Sequence, residues 1–166
     1  GRSPGPPMDE HPGEFRAVVT ARPSADSDPV VIVLEARGPH IAQLDGEGWT
    51  LESLGTTAAG VEWYGMSAGD LDGDGGDELV IWGFRPQLVS LVLTWDGDSL
   101  ARVAGPVPEL LRVTPRDGAA VLYGQRAGTD GPFSGPVFRL ELDGDTVQRR
   151  EAMGALVDIL DFFRGP

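Results

Sequence analysis

The chain has 166 residues, a length typical of one domain, and 40% of them are hydrophobic, enough to fill a core. Its 26 acidic and 13 basic residues give a net charge of −13, which disfavours nucleic acid as a partner because no basic stripe is available to displace counterions from phosphates. No run approaches the roughly 18 apolar residues that cross a bilayer, so we expect no membrane span.

The first segment, residues 1–14, contains four prolines among polar residues. Such a composition cannot build a core of its own and favours an extended chain. We therefore predict a Pro-rich N-terminal arm that precedes the folded domain.

The domain itself, residues 15–152, contains three similar units. Each has an apolar run, a second strand that ends in Asp-Gly and a short third strand, and Asp-Gly is a strong hairpin signal. The Asp-Gly pairs are separated by 51 and 47 residues, a period within the range of propeller blades. The pattern predicts an all-β fold of about three four-stranded antiparallel propeller-like blades, at about residues 15–57, 58–106 and 107–152.

A dense acidic loop lies in the middle unit, where five carboxylates fall within residues 70–78. Two carboxylates about 4 Å apart repel by roughly 4 kcal/mol at an effective dielectric near 20, so a tight turn that carries several of them needs a cation. Carboxylate and carbonyl oxygens suit a hard ion, and the absence of cysteine with only two histidines disfavours zinc or copper. The loop therefore predicts a calcium site.

The first half of this loop has the spacing of an EF-hand, with Asp70, Asp72 and Asp74 at the first, third and fifth positions. An EF-hand would close with a glutamate at the twelfth position and continue into a helix. Here the twelfth position is Ile81, inside a β-type apolar run. We therefore expect Glu78, at the ninth position, to close the site.

The loop resembles the FG-GAP and VCBS repeats, which form blades in integrin alpha-chain propellers and in many secreted bacterial proteins. Those repeats carry D-x-D-G-D-G-x-D-E before an aliphatic strand, and residues 70–78 follow that pattern. Tyr64-Gly65 is similar to the family's Phe-Gly, whereas Phe84-Arg85 stands where the family often has Ala-Pro. The resemblance covers about one blade. It implies that calcium is held by Asp70, Asp72, Asp74, the Gly76 carbonyl and Glu78.

Three further interpretations concern acidic residues in and around this loop. The alternative to a calcium site is an acidic turn whose charges face water. Asp77 is expected to supply outer-shell charge or a hydrogen bond rather than a direct ligand. The first unit has Asp26 and Asp28 without the regular alternation, a degenerate second site at most, and the third unit has only a short turn at residues 115–118. We expect one ion per chain.

The last segment, residues 153–166, differs from the three units. Apolar residues recur there at helical spacing, with acidic residues between them. This pattern favours a short C-terminal helix. The alternative is that residues 157–162 form the first strand of a further blade.

Three blades leave sheet edges open, because propellers usually close with four to eight blades. We therefore expect protein partners, or self-association, to cover these edges, with docking onto a partner preferred over dimer closure. Calcium loops of extracellular modules bind at roughly 10⁻⁴ to 10⁻³ M, which predicts an extracellular or periplasmic location.

The sequence contains no G-x-S-x-G elbow and no cysteine nucleophile, so we predict no enzymatic activity. The preferred function is a calcium-stabilised interaction or scaffold module, an accessory subunit of a larger exported or periplasmic complex. The alternative is a carbohydrate-binding or hydrolytic propeller domain. In that case some of the four tryptophans would stack on sugars instead of packing between blades: Trp49, Trp63, Trp82 and Trp95.

Overall fold

The structure is a computed structural model that describes residues 15–55, 58–116, 119–131 and 133–153. Within these ranges the chain forms twelve β-strands and no helix, which confirms the all-β class. The described part accordingly contains no helix long and apolar enough to cross a membrane. The predicted arm, 1–14, lies outside the described residues. So does the predicted helix or further strand, except for residue 153, which ends the last strand.

The first sheet contains β1 (Ala17–Ala21), β2 (Val30–Glu35), β3 (Gly38–Asp45) and β4 (Gly48–Ser53). The strands are hydrogen-bonded in chain order, and every pair is antiparallel. The carboxylate of Asp45 accepts a hydrogen bond of 2.8 Å from the backbone N–H of Glu47, which stabilises the turn between β3 and β4.

The middle sheet repeats this order with β5 (Glu62–Gly69), β6 (Glu78–Phe84), β7 (Leu88–Trp95) and β8 (Leu100–Val107). The turn between β7 and β8 uses the same device as the first sheet, because Asp96 accepts hydrogen bonds from two backbone N–H groups of the turn. These two bonds also lower the pKa of Asp96.

The third sheet contains β9 (Glu109–Arg116), β10 (Ala119–Arg126), β11 (Val137–Asp143) and β12 (Thr146–Met153), again antiparallel and in chain order. The prediction of three four-stranded antiparallel sheets is therefore confirmed. Each predicted Asp-Gly turn lies between the third and fourth strands of its sheet.

The middle sheet packs against both other sheets because β6 is apolar on both faces. Leu79 and Ile81 join a buried cluster with Ile32 and Leu34 of the first sheet. Val80, which points the opposite way, joins a cluster with Leu122 and other residues of the third sheet. A strand that is buried on both faces reads as a continuous apolar run, as residues 79–82 do.

Strand β5 lies between β1 of the first sheet and β9 of the third and contacts both. The Ser67 hydroxyl oxygen accepts a hydrogen bond of 2.9 Å from the backbone N–H of Val113. Gly69 permits the close approach, because a Cβ at that position would lie 2.5 Å from a Val113 methyl group. The chain therefore enters the acidic loop from the strand that joins all three sheets.

Candidate metal centre

The acidic loop occupies residues 70–77, between β5 and β6, and Glu78 is the first residue of β6. Asp70, Asp72, Asp74 and Glu78 each place one carboxylate oxygen within 4.8 Å of the others. Asp72 and Asp74 are exposed, Asp70 is half-buried and Glu78 is only 3% exposed. The structure thus brings together the four carboxylates that the sequence predicts as ligands, in an arrangement that can hold a metal ion.

The carboxylates also fold the loop by accepting hydrogen bonds from its backbone. Both Asp70 oxygens accept at 2.8 Å, from the N–H groups of Gly73 and Gly75. Asp72 accepts from the N–H of Asp74 at 3.1 Å, and Asp74 accepts from the N–H of Gly76 at 2.8 Å. Each of these carboxylates accepts from a residue two to five positions later in the chain, so the side chains fold over their own loop.

Two glycines permit this winding because their φ angles lie in the left-handed region, at 80° for Gly73 and 90° for Gly75. Other residues adopt such angles at a cost of roughly 1–2 kcal/mol. Gly76 lies in the same loop and is buried. The role of its carbonyl as a fifth ligand stays a prediction.

Glu78 anchors the inner end of the cluster. Its Oε1 atom accepts hydrogen bonds from the backbone N–H groups of Leu71, at 2.8 Å, and Asp72, at 3.0 Å. Burial raises the pKa of Glu78 to about 7, and the negative charges of Asp72 and Asp74 add to this rise against the two backbone bonds. A bound cation would lower the pKa of Glu78, because it favours the ionised carboxylate.

The pKa of Asp72 is also raised, first by burial and then by its interactions with Asp74 and Asp70. Among the described residues, no ion pair with an arginine involves any of the four clustered carboxylates. The repulsion within the cluster is therefore not offset by a cationic side chain in the described part of the chain.

Asp77 has a different role, because it docks the acidic loop onto the connection between β1 and β2. Its Oδ2 atom accepts a hydrogen bond of 2.8 Å from the backbone N–H of Arg22, and its own N–H donates to the Arg22 carbonyl at 2.7 Å. Asp77 therefore makes a hydrogen bond of the predicted kind and lies outside the four-carboxylate cluster. Sequence reasoning missed the partner, since 55 residues separate the two positions.

The glycines of the loop make this docking close. A Cβ at Gly75 would lie 2.4 Å from the Ala25 Cβ, and a Cβ at Gly76 would lie 2.7 Å from the Pro23 carbonyl oxygen. The acidic loop is thus seated against the first sheet through backbone and small side chains.

The degenerate second site predicted around Asp26 and Asp28 is not formed as a cluster. In the ranges that the structure covers, the only group of three or more potential ligands contains Asp70, Asp72, Asp74 and Glu78. Residues 117–118 of the third unit lie outside the described ranges. The binding of one ion per chain stays a prediction.

The four tryptophans lie in three different environments. Trp63 and Trp95 are buried in the core between the first and middle sheets, where no sugar can stack on them. Trp82 packs against Tyr64, Phe84 and Phe133, with ring centroids 5.6–6.2 Å apart. Trp49, which is 44% exposed, is the tryptophan most available to a ligand or partner.

In comparisons with known proteins, no family model, no curated protein and no solved structure matches this chain. The likeness to FG-GAP and VCBS repeats therefore rests on residues 64–85 alone.

Proposed function

We propose that this chain is a non-enzymatic, calcium-stabilised, β-propeller-like module that acts through protein–protein interaction. Its role would be that of an accessory or scaffold subunit in an exported or periplasmic assembly. The observation that carries the proposal is the convergence of the Asp70, Asp72, Asp74 and Glu78 carboxylates within 4.8 Å.

Calcium is the cation that best suits this donor set. The set contains only oxygen, which favours hard ions, and calcium accepts six to eight oxygens in irregular geometry. Magnesium demands a near-ideal octahedron and usually keeps several waters, so a loop that offers four carboxylates and a nearby carbonyl favours calcium. An affinity of roughly 10⁻⁴ to 10⁻³ M would fill the site outside the cytosol.

The metal would have a structural role at the junction of the first and middle sheets. The acidic loop touches the β1–β2 connection through Asp77 and Arg22, and through the close approach of Gly75 to Ala25. A cation that removes repulsion within the loop would therefore stabilise the surface that the first sheet rests on. Calcium would hold the two sheets in one fixed relation.

The interaction role is supported by an exposed apolar pair on the first sheet. Leu44 and Trp49 are direct cross-strand partners in the hairpin of β3 and β4, and they are 66% and 44% exposed. Strand β4 is an edge of its sheet, so backbone groups along its outer side can pair with another chain. We favour docking onto a partner protein, with self-association second.

Calcium titration by calorimetry tests the metal part of this proposal. We expect a dissociation constant of roughly 10⁻⁴ M for the unaltered protein. At 100 times that concentration, calcium would raise the free energy of unfolding by about 2.7 kcal/mol. Asp72→Asn should weaken binding by at least about tenfold, because ligand charge sets affinity.

Asp26→Asn is the matched control, since it removes one acidic charge from the neighbouring loop and leaves the cluster intact. Absence of calcium binding, or equal weakening by both substitutions, would contradict a specific site. Light scattering tests the interaction part independently of calcium. A stable monomer that remains monodisperse at high concentration would count against self-association, and Trp49→Ser should leave the fold unchanged while weakening any association that is seen.

A further inference from the structure

A cleft lies between the first strands of the three sheets, next to the acidic loop. Its volume is about 660 Å³, within the range of roughly 300–1,000 Å³ that small-molecule sites occupy. Most of its wall is apolar, and residues from β1, β5 and β9 contribute to it. The lining residues include Val18, Thr20, Met66, Arg112 and Pro115.

Arg112 brings a cation into this apolar wall. Its Nε atom is buried and has no hydrogen-bond partner, and no ion pair or hydrogen bond of its guanidinium group is found among the described residues. Burial lowers the pKa of Arg112 because it disfavours the charged form. A partly buried guanidinium without an anion carries an uncompensated desolvation cost.

Other arginines of this chain do find carboxylates. Arg16 lies 3.0 Å from Glu62, Arg150 lies 2.7 Å from Glu141, and Arg149 contacts Glu109. Acidic residues outnumber arginines two to one in the sequence, so carboxylates are abundant, yet none of the described ones reaches Arg112. Arg112 differs from the exposed arginines that also lack an ion pair within the described ranges, such as Arg102, because its Nε atom is buried.

We propose that the cleft binds a small organic carboxylate, with Arg112 as the residue that anchors its charged group. A guanidinium presents parallel N–H donors that match the two oxygens of a carboxylate. The apolar part of the ligand would lie against Val18, Met66 and Pro115, and Thr20 also lines the cleft.

Two charged residues of opposite sign line the cleft. Asp70 also lines the cleft, and its carboxylate belongs to the acidic cluster. In the metal-free protein, a ligand carboxylate would be attracted by Arg112 and repelled by Asp70. The sequence carried one signal for this site, a single arginine inside the apolar run of residues 110–113.

The proposal is tested with hexanoate and its neutral counterpart hexanamide, by calorimetry and thermal shift on the purified full chain. Hexanoate should bind with a dissociation constant of roughly 10⁻⁴ to 10⁻³ M and raise the melting temperature. Hexanamide should bind about 10–100 times more weakly, because it cannot form the charge-assisted hydrogen bonds that a carboxylate makes with a guanidinium group. Arg112→Met should reduce hexanoate affinity by the same factor. Arg102→Met, at an exposed position of β8, is the matched control.

A second variant keeps the test sharp if Arg112→Met fails to fold. Ala119 is exposed and lines the cleft, so Ala119→Phe should block hexanoate while Arg112 stays intact. Equal binding of hexanoate and hexanamide, equal loss in the Arg102 variant, or no binding to the folded wild type up to about 10 mM would overturn the proposal. The proposal would also be overturned if the protein formed dimers without hexanoate and only Arg112→Met dissociated them. In that case the carboxylate that pairs with Arg112 would come from another protein chain. Measurements with and without calcium separate this outcome from failure of the metal site.

Discussion

Two connections occupy the same position in neighbouring sheets and are stabilised in different ways. Residues 22–29 join β1 to β2, and residues 70–77 join β5 to β6. In the former, Ser24 and Ser27 hydrogen-bond to each other through their hydroxyl groups, at 2.7 Å, and through their backbones, at 3.1 Å. In the latter, ionisable carboxylates accept the backbone N–H groups.

The difference shows that the same four-stranded sheet can carry, between its first two strands, either a loop held by its own hydrogen bonds or a loop that favours a bound ion. Residues 22–29 also contain Asp26 and Asp28, but neither belongs to a cluster of carboxylates among the described residues, so this loop does not concentrate negative charge. The carboxylates of residues 70–77 accept backbone hydrogen bonds but repel one another. Because the two loops touch through Arg22 and Asp77, residues 22–29 serve as a fixed surface for the acidic loop.

The largest expected effect comes from adding a side chain where the loops meet. Gly75→Ala should lower the free energy of unfolding by about 2–4 kcal/mol, because it combines left-handed strain with a clash against Ala25. Gly73→Ala has the same strain and open space around it, so about 1 kcal/mol is expected. Denaturant unfolding measures both. Gly46→Ala, with neither strain nor contact, is the control, and equal losses for Gly73 and Gly75 would argue against close docking of the loops.

The second effect concerns pH and follows from the raised pKa of Glu78, about 7 against an ordinary value of 4.5. In the metal-free protein this group stabilises the fold fully below about pH 4.5, and the contribution is lost as the pH rises through 7. Calcium must displace that proton, so its affinity should be about 30-fold weaker at pH 5.5 than at pH 8.

Calorimetry at several pH values measures this dependence. Glu78→Gln should bind calcium more weakly and lose most of the change between pH 5.5 and 8. A calcium affinity that stays constant across that range in the unaltered protein would show that Glu78 is not a ligand.

A smaller effect is expected for Asp77, which separates docking from metal binding. Asp77→Ala should lower the free energy of unfolding by about 1 kcal/mol, because the Arg22 N–H loses its acceptor. Calcium affinity should change far less than in Asp72→Asn. Asp77→Asn keeps an oxygen acceptor and should recover most of the stability. If Asp77→Ala abolished calcium binding, Asp77 would have to be counted as a ligand.

The smallest effects are expected in residues 22–29. Ser27→Ala removes one exposed hydroxyl contact and should cost about 0.5 kcal/mol. Its calcium titration should overlay that of the unaltered protein. A measurable loss of calcium affinity would mean that residues 22–29 shape the acidic loop more strongly than the contacts of Arg22 and Asp77 imply.

Sequence reasoning predicted the strands and the acidic cluster well for local reasons. Asp-Gly turns and apolar runs such as residues 79–82 specify hairpins within a few residues, and the alternation of Asp70, Asp72 and Asp74 places carboxylates around one turn. The contacts between sheets could not be predicted in this way. The pairing of Arg22 with Asp77 and the isolation of Arg112 depend on residues far apart in the chain, for which periodicity carries no information.

The Arg22–Asp77 contact also bears on the order of folding. It joins positions 55 residues apart, and closing so long a loop is entropically costly before other contacts are in place. We expect this junction to form after the individual hairpins, late on the folding path. An ion bound beside it should then act mainly by slowing unfolding, with little change in the refolding rate.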